Sequence, residues 1–336
     1  MNPVRQFAAL ITLAASCLFL AGCPQGKDIA QEVRTNLQSP SGEPHILAAY
    51  QPWFGRDGHI NVGYSTQDPS VLQHQVREAQ ELGISAFVAN WYGQSRRFED
   101  SSYATLQRVA AQNDFQVAIM YDESGDDRES STNDTINDLN YAYERYFGPN
   151  AGPSGRAYMT INGRPVIFVF PKSGKTDWRQ VRQAMQSWER QPIIIYKDHA
   201  SDPSQFDGFF AWVNPGREGW QRDGSNWGRD YLEDFYERMT QRFPDKIAVG
   251  GAWPAFDDSR ASWGRNRHMS SRCGRTMEES LKTFRRYYDN NRPLPFLMID
   301  TWNDYEEGTA IERGIGCNGH NIRLTSNDGG SRNNGE

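Results

Sequence analysis

Three carboxylates, Asp304, Glu306 and Glu307, fall close together in the run Trp302-Asn303-Asp304-Tyr305-Glu306-Glu307-Gly308-Thr309-Ala310-Ile311-Glu312. The run follows an apolar stretch, Pro295–Thr301, that reads as a β-strand. Like charges this close raise one another's pKa values. Acidic runs that serve only solubility sit on solvated faces, whereas these carboxylates come directly after a buried segment. A carboxylic acid kept protonated beside an ionised carboxylate is what glycosidic bond cleavage needs. Asp304 and Glu307 are therefore the candidate catalytic pair. Their three-residue offset, on a tight turn or a first helical turn, puts both on one side of a cleft.

Such a pair needs a rigid frame, and the rest of the chain supplies one. Eight short β-rich runs recur: Ile46–Tyr50, Ile84–Trp91, Phe115–Tyr121, Pro165–Phe170, Pro192–Tyr196, Asp207–Trp212, Lys246–Ala252 and Pro295–Thr301. Each is nearly continuous in apolar residues, as parallel strands covered on both faces should be. Between them lie helical patterns over Pro69–Leu82, Ser102–Gln112, Asn133–Tyr146, Asp177–Glu189, Arg229–Arg242 and Thr276–Asn290. Asp68 before Pro69 is a good N-cap, Gly83 a good stop, and Thr276 with Glu279 has the spacing of a capping box. The crossover Lys197 to Gln205 is too short for a full helix, and an eighth helix has no obvious sequence. The alternation predicts a single-domain α/β fold, a (β/α)₈ TIM barrel, over residues 46–324. The rival, a doubly wound open sheet, normally brings a Gly-rich phosphate loop after its first strand. Gln51-Pro52-Trp53-Phe54-Gly55 is not one.

In a barrel the active site lies at the carboxyl ends of the strands. Polar and aromatic residues recur there: Gln51 and Trp53, Asn90 to Tyr92, Tyr121 to Glu123, Tyr196 to Asp198, Trp212 and Asn214, Trp253 with Asp257 and Asp258, and the acidic run itself. Ten Trp and fifteen Tyr are many for this length, and aromatic rings at a cleft mouth suit the apolar faces of sugars. Tyr50, Trp53, Trp91, Tyr92, Tyr121, Lys197, Trp212, Trp302 and Asn303 are the expected substrate-binding residues on this ground. Asp257 and Asp258 either bind hydroxyls or cap a turn; Arg272 either faces the cleft or is a surface charge. His59, His199 and His268 belong to no triad pattern and read as core or surface residues.

Several pieces resemble a known group in order along the chain. The acidic segment resembles the Trp-Asn-Glu-Trp-His-Glu-Gly-Thr-Gln-Ile-Glu signature of glycoside hydrolase family 99, the endo-α-mannosidases and endo-α-mannanases. Its Trp-Asn-Asp-Tyr opening is similar to the family 71 α-1,3-glucanases. Ala49 to Gly55, Phe87 to Gly93, Pro254 to Asp258, Trp263-Gly264 and Arg272-Cys273-Gly274 agree as well. The resemblance implies a glycosidase, endo-acting, on α-linked glycans. It places Asp304 as the base that deprotonates the sugar's own 2-hydroxyl and Glu307 as the general acid. It also implies that Glu123, the acid after the third strand, holds a sugar hydroxyl; a surface acid in the charged run Asp122–Glu129 is the other reading. Two departures bear on mannose-specific chemistry: Asp stands where the family has Glu, and Glu306 where it has His.

The two ends decide where the protein works. Arg5, the apolar run Phe7–Ala21 and then Gly22-Cys23-Pro24 have the layout of an export signal, too short for a stable membrane span. Leu20-Ala21-Gly22-Cys23 resembles a bacterial lipoprotein signal, which predicts cleavage after residue 22 and acylation of Cys23. Residues 23–45 read as a tether and 325–336 as a disordered tail. The expected site of action is thus the cell envelope, outside the cytoplasm, with the lipid as the membrane contact. Of four cysteines, the two left over, Cys273 and Cys317, are expected to pair in an oxidising compartment. No Cys/His cluster has metal-ligand spacing, and neither metal nor cofactor is expected. The net charge of −6 offers no basic stripe for nucleic acid. A monomer acting on an oligo- or polysaccharide is the expectation. The alternatives are a lipid-anchored glycan-binding protein that lost its chemistry, and a surface-polysaccharide assembly protein.

Overall fold

The computed structural model describes residues 45–123, 131–172, 174–288, 296–318 and 320–322. The segments expected to form the export signal, the acylation site Cys23, the tether up to residue 44 and the tail 325–336 lie outside the described residues.

Eight parallel strands close on themselves: β1 (His45–Tyr50), β2 (Ile84–Trp91), β3 (Gln116–Asp122), β4 (Arg164–Phe170), β5 (Ile193–Lys197), β6 (Gly208–Phe210), β7 (Ile247–Ala252) and β8 (Phe296–Ile299). Each pairs with its neighbours in chain order, and β8 returns to β1 with Ile46 opposite Leu297. The barrel anticipated from the apolar runs is the fold, with strand boundaries shifted by a few residues. The strands are buried almost end to end because side chains alternate between a packed interior and a shell of helices. In β2, Phe87 packs outward on Tyr50 and Trp302, whereas Asn90 reaches the open end of the interior.

The helices are α1 (Pro69–Glu81), α2 (Arg97–Gln112), α3 (Thr132–Ala142), α4 (Trp178–Ala184), α5 (Arg229–Glu237) and α6 (Arg275–Tyr287). Asp68 caps α1 by accepting from the Ser70 amide, with Pro69 at the first position and Gly83 at φ +77° beyond the end. Helices α3 and α5 each finish in a short π-helical turn. The capping box expected at Thr276 and Glu279 is not there. Helix α6 starts one residue earlier, after a left-handed Gly274, and the Thr276 hydroxyl instead donates to the Ser270 carbonyl, with Glu279 paired to Arg272. A reciprocal capping box stands at Ser131 and Asp134, where α3 begins. As anticipated, the β5–β6 crossover holds only a short 3₁₀ turn, Pro203–Gln205. After β8 the chain makes a compact turn and a small hairpin, Ile315–Cys317 with His320–Ile322; among the described residues no eighth helix follows. Cys273 and Cys317 are joined by a disulfide, tying the approach to α6 to that hairpin.

Candidate active site

The acidic turn is built by backbone demand. Trp302 N–H reaches across to the Ala49 carbonyl at 2.7 Å, fastening the turn to the end of β1. Asn303 completes the splice, accepting from the Gln51 amide at 2.7 Å and donating to the Gln51 carbonyl at 3.0 Å. The Asp304 amide donates to the Thr301 hydroxyl, and the Asp304 carbonyl accepts from Thr309 and Ala310. Gly308 takes φ +65°, and a Cβ there would come within 3.0 Å of the Asp257 amide nitrogen. That amide donates to the Glu307 carbonyl at 2.7 Å, so a side chain at 308 would press on the joint between this turn and the loop after β7.

The three carboxylates diverge. Asp304 and Glu307 face a cavity of about 510 Å³ at the carboxyl ends of the strands. Glu306 turns away and is taken up by His59 Nδ1 at 2.8 Å and the Ile60 amide at 3.1 Å. Asp304 Oδ1 accepts from the Glu306 and Glu307 amides at 3.1 and 2.8 Å. Glu307 Oε1 accepts from the Trp263 indole N–H at 3.0 Å. Burial, and then the Glu307 charge, push the Asp304 carboxyl well above the ordinary carboxylate range despite its two amide donors. Burial also raises Glu307, opposed by the Trp263 N–H and by Arg267 and Lys197. Both carboxyls are thus raised, and because they share the cavity they titrate together.

Around the mouth, Gln51, Trp53 and His59 follow β1; Asn90 lies near the end of β2, with Tyr92, Arg96 and Glu99 beyond it; Asp122 ends β3. Phe170 and Lys172, then Lys197, then Trp212 come from β4, β5 and β6. Trp220, Trp263 and Arg267 on loops, with Phe256 on a short strand paired to Met269, close the circle. Trp53 stacks on His59 with centroids 5.0 Å apart, and Trp263 meets both edge-on. Asp258 is buried and accepts from Arg267 Nε at 2.7 Å and from the Arg265 and Arg267 amides. Burial alone would raise its carboxyl, but these donors hold it below the ordinary value. Asp258 thus neither binds hydroxyls nor caps a turn: it shapes the loop that delivers Trp263 and Arg267. Among the described residues no group of three or more His, Cys, Asp or Glu side chains is arranged to hold a metal ion.

Of the expected substrate-binding residues, Trp53, Tyr92, Lys197 and Trp212 line the cavity with the two carboxylates. The others do not, and strand alternation gives the main reason. Tyr50, Trp91 and Tyr121 are one position out of phase with the interior and point into the helical shell. Tyr50 donates to Gln75, the Trp91 indole to Asp100 at 3.0 Å, and Tyr121 to Asp138 at 3.2 Å. Trp302 is wholly buried against Phe87, and Asn303 is consumed by its bonds to Gln51. Glu123 is buried rather than on a surface loop, accepting from the Trp178 indole at 3.2 Å. Asp257 caps the 3₁₀ turn Asp258–Arg260, and Arg272 pairs with Glu279 at 2.7 Å. His59 corrects the reading of the histidines, since it belongs to the cavity wall. Asn90 and Asp122 share the inward phase of their strands, a signal legible in the sequence. His59 and Arg267 arrive on loops and carry no local signal.

No family model matches the chain. A curated relative, the mouse (Mus musculus) glycoprotein endo-alpha-1,2-mannosidase, is 21% identical over 275 residues, 75% of this chain and 55% of the relative. The chain therefore spans about half the length of the curated relative it matches. Among solved structures, the GH99 endo-alpha-mannosidase from Bacteroides thetaiotaomicron superposes with a TM-score of 0.62 at 17% identity, over 80% of this chain and 87% of that one, in a complex with bis-tris-propane. A second structure of that enzyme gives 0.62 at 15% identity over 84% and 91%. A glycoside hydrolase-like protein gives 0.53 at 12% identity, over 80% and 87%.

Proposed function

The chain is glycoside hydrolase family 99-like, and from that premise we propose that it is an endo-acting glycosidase that cleaves α-linked glycans, with Asp304 and Glu307 as its acid–base pair. The observation that carries this reading is the divergence of the acidic turn: two carboxylates enter an aromatic-lined cavity while the third is taken up elsewhere. In the proposed cycle Glu307 gives its proton to the departing glycosidic oxygen, and Asp304 takes a proton from the sugar's 2-hydroxyl as that oxygen closes on the anomeric carbon. Attack from behind requires the 2-hydroxyl to stand anti to the leaving oxygen, as it does in α-mannosides. The pair shares one proton and titrates as a unit. The working state has that proton on Glu307, and a sugar hydroxyl donating to Asp304 favours that state by stabilising its ionised form.

A pure binder gains nothing from two mutually repelling acids in its cavity, which sets this reading above the glycan-binding alternative. The apolar run Phe7–Ala21 followed by Gly22-Cys23 further supports a lipid-anchored enzyme at the cell envelope, acylated at Cys23. The test is incubation of the mature protein with α-linked mannans and glucans, following new reducing ends. Release of internal fragments by wild type and its loss in Asp304→Asn is expected. Equal release by both would remove the assignment; binding without release by either would favour the binder.

A further inference from the structure

Opposite the acidic turn the cavity wall changes sign. Strand β4 stands four places around the barrel from β8, and β5 three. Their ends contribute Phe170, Lys172 and Lys197 to the lining. Both ammonium groups attend the same ring: Lys197 Nζ lies 3.7 Å from the Phe170 centroid and Lys172 Nζ 5.1 Å. Lys172 has a counter-ion, Asp122, at 3.5 Å. The Lys197 ammonium makes no hydrogen bond or ion pair with any described residue, and it lies against the Phe170 face.

Of the acids whose charge reaches Lys197, Asp122 is paired with Lys172, and Glu307, across the cavity, accepts from the Trp263 indole. Asp198 holds Arg238 at 2.6 Å and His199 at 3.0 Å. Asp300 is fully buried, and burial keeps its carboxyl protonated well above the ordinary range. Burial, then the neighbouring Lys172, depress the Lys197 ammonium to about 8, which leaves it mostly charged at neutral pH. A charge drawn out of water is stabilised only when it is paired, and an aromatic face meets part of that demand. Sugar hydroxyls present dipoles; an anion presents the missing charge.

We infer that the glycan taken by this cavity carries an anionic substituent (a carboxylate, a sulfate ester or a phosphate ester) that docks on Lys197 with Lys172 beside it. The substituted sugar is the one lying against the β4–β5 wall, across the mouth from the catalytic turn. This rests on the glycosidase reading only for the statement that the ligand is a glycan.

The experiment separates binding from cleavage. Binding to the mature Asp304→Asn protein is measured over a panel of α-linked oligosaccharides that are neutral or carry a uronate, a sulfate or a phosphate. Each anionic member is matched with a neutral twin made by carboxyl reduction or ester removal. At least one anionic member should bind about tenfold or more tighter than its twin, the size of a charge-assisted hydrogen bond, and the preference should shrink with added salt. Adding Lys197→Met should abolish the preference, while adding Lys197→Arg, which keeps the charge, should retain it and show that position 197 tolerates change. Twins that bind as tightly, a preference that survives Lys197→Met, or no binding anywhere on the panel each overturn the inference. Wild-type turnover on the same panel tests the other reading. An anion preference with no cleavage removes the glycosidase and leaves this inference standing; cleavage with no such preference does the reverse.

Discussion

His59 Nδ1 lies 2.8 Å from Glu306 Oε2, and this pairing lets an acidic turn sit at the mouth of a barrel. Glu306 is the departure from the family signature, and the imidazole that meets it comes from a loop far away in sequence. The same imidazole stacks on Trp53, so the partner of the displaced charge is also part of the sugar-facing wall. Glu306→Ala should destabilise the protein by about 1–3 kcal/mol, because His59 and the Ile60 amide lose their acceptor. Glu306→Gln keeps an acceptor and a donor in place and should cost less. Chemical denaturation of both variants checks the order, and a Glu306→Ala protein as stable as wild type would show that the pairing contributes nothing.

The catalytic pair should separate by leaving group. Glu307→Gln should lose roughly 10²–10⁴ in rate on an oligosaccharide and far less on an activated aryl glycoside, whose leaving group hardly needs a proton. Asp304→Asn should be crippled on both. Initial rates on the two substrate types decide the assignment.

Trp263 should tune the pH profile. Hydrolysis is expected to follow a bell whose limbs belong to the coupled carboxyls, displaced upward because burial raises both. The Trp263 indole N–H stabilises ionised Glu307 and so lowers its pKa. Trp263→Phe keeps an aromatic ring and removes that donor; the acid then holds its proton longer, and the alkaline limb should move to higher pH. An unmoved limb in the kcat/KM profile would show that the bond is not felt.

Asp300 should make stability fall with rising pH. Neither of its carboxyl oxygens has a hydrogen bond of ordinary geometry, and burial holds its folded-state pKa well above the unfolded value. Between those two values the folded protein binds more protons than the unfolded chain, so this group's contribution declines as pH rises through the window. Asp300→Asn has no proton to lose. The Tm of the variant relative to wild type should therefore climb as pH rises from about 4, the unfolded value, through the neutral range. A difference that stays flat over that range would contradict the assignment.

The Cys273–Cys317 disulfide closes a segment with a sequence separation of 44. Chain-entropy reasoning gives about 4 kcal/mol for a loop of this size, less any strain. Replacing both cysteines with Ser should lower the midpoint of urea unfolding accordingly, and thiol titration of the unfolded, unreduced wild type should find neither cysteine free.

The barrel was legible because burial on both faces leaves a one-dimensional mark: eight apolar runs of strand length with helices between them. The acidic turn was legible because its residues are neighbours in the chain, and a local signal survives without a fold. Which aromatics face the cavity was less so, because Trp91 and Tyr92 differ by one position and composition does not record phase. Tertiary structure alone decided the rest. His59 comes beside Glu306, Trp263 beside Glu307, and Lys197 onto Phe170 through loops and strand ends distant in sequence, so no spacing encodes them. The upward shift of both carboxyls was decided there too, because a carboxyl's pKa depends on its depth and on the charges facing it. Both are properties of the closed barrel and not of the chain.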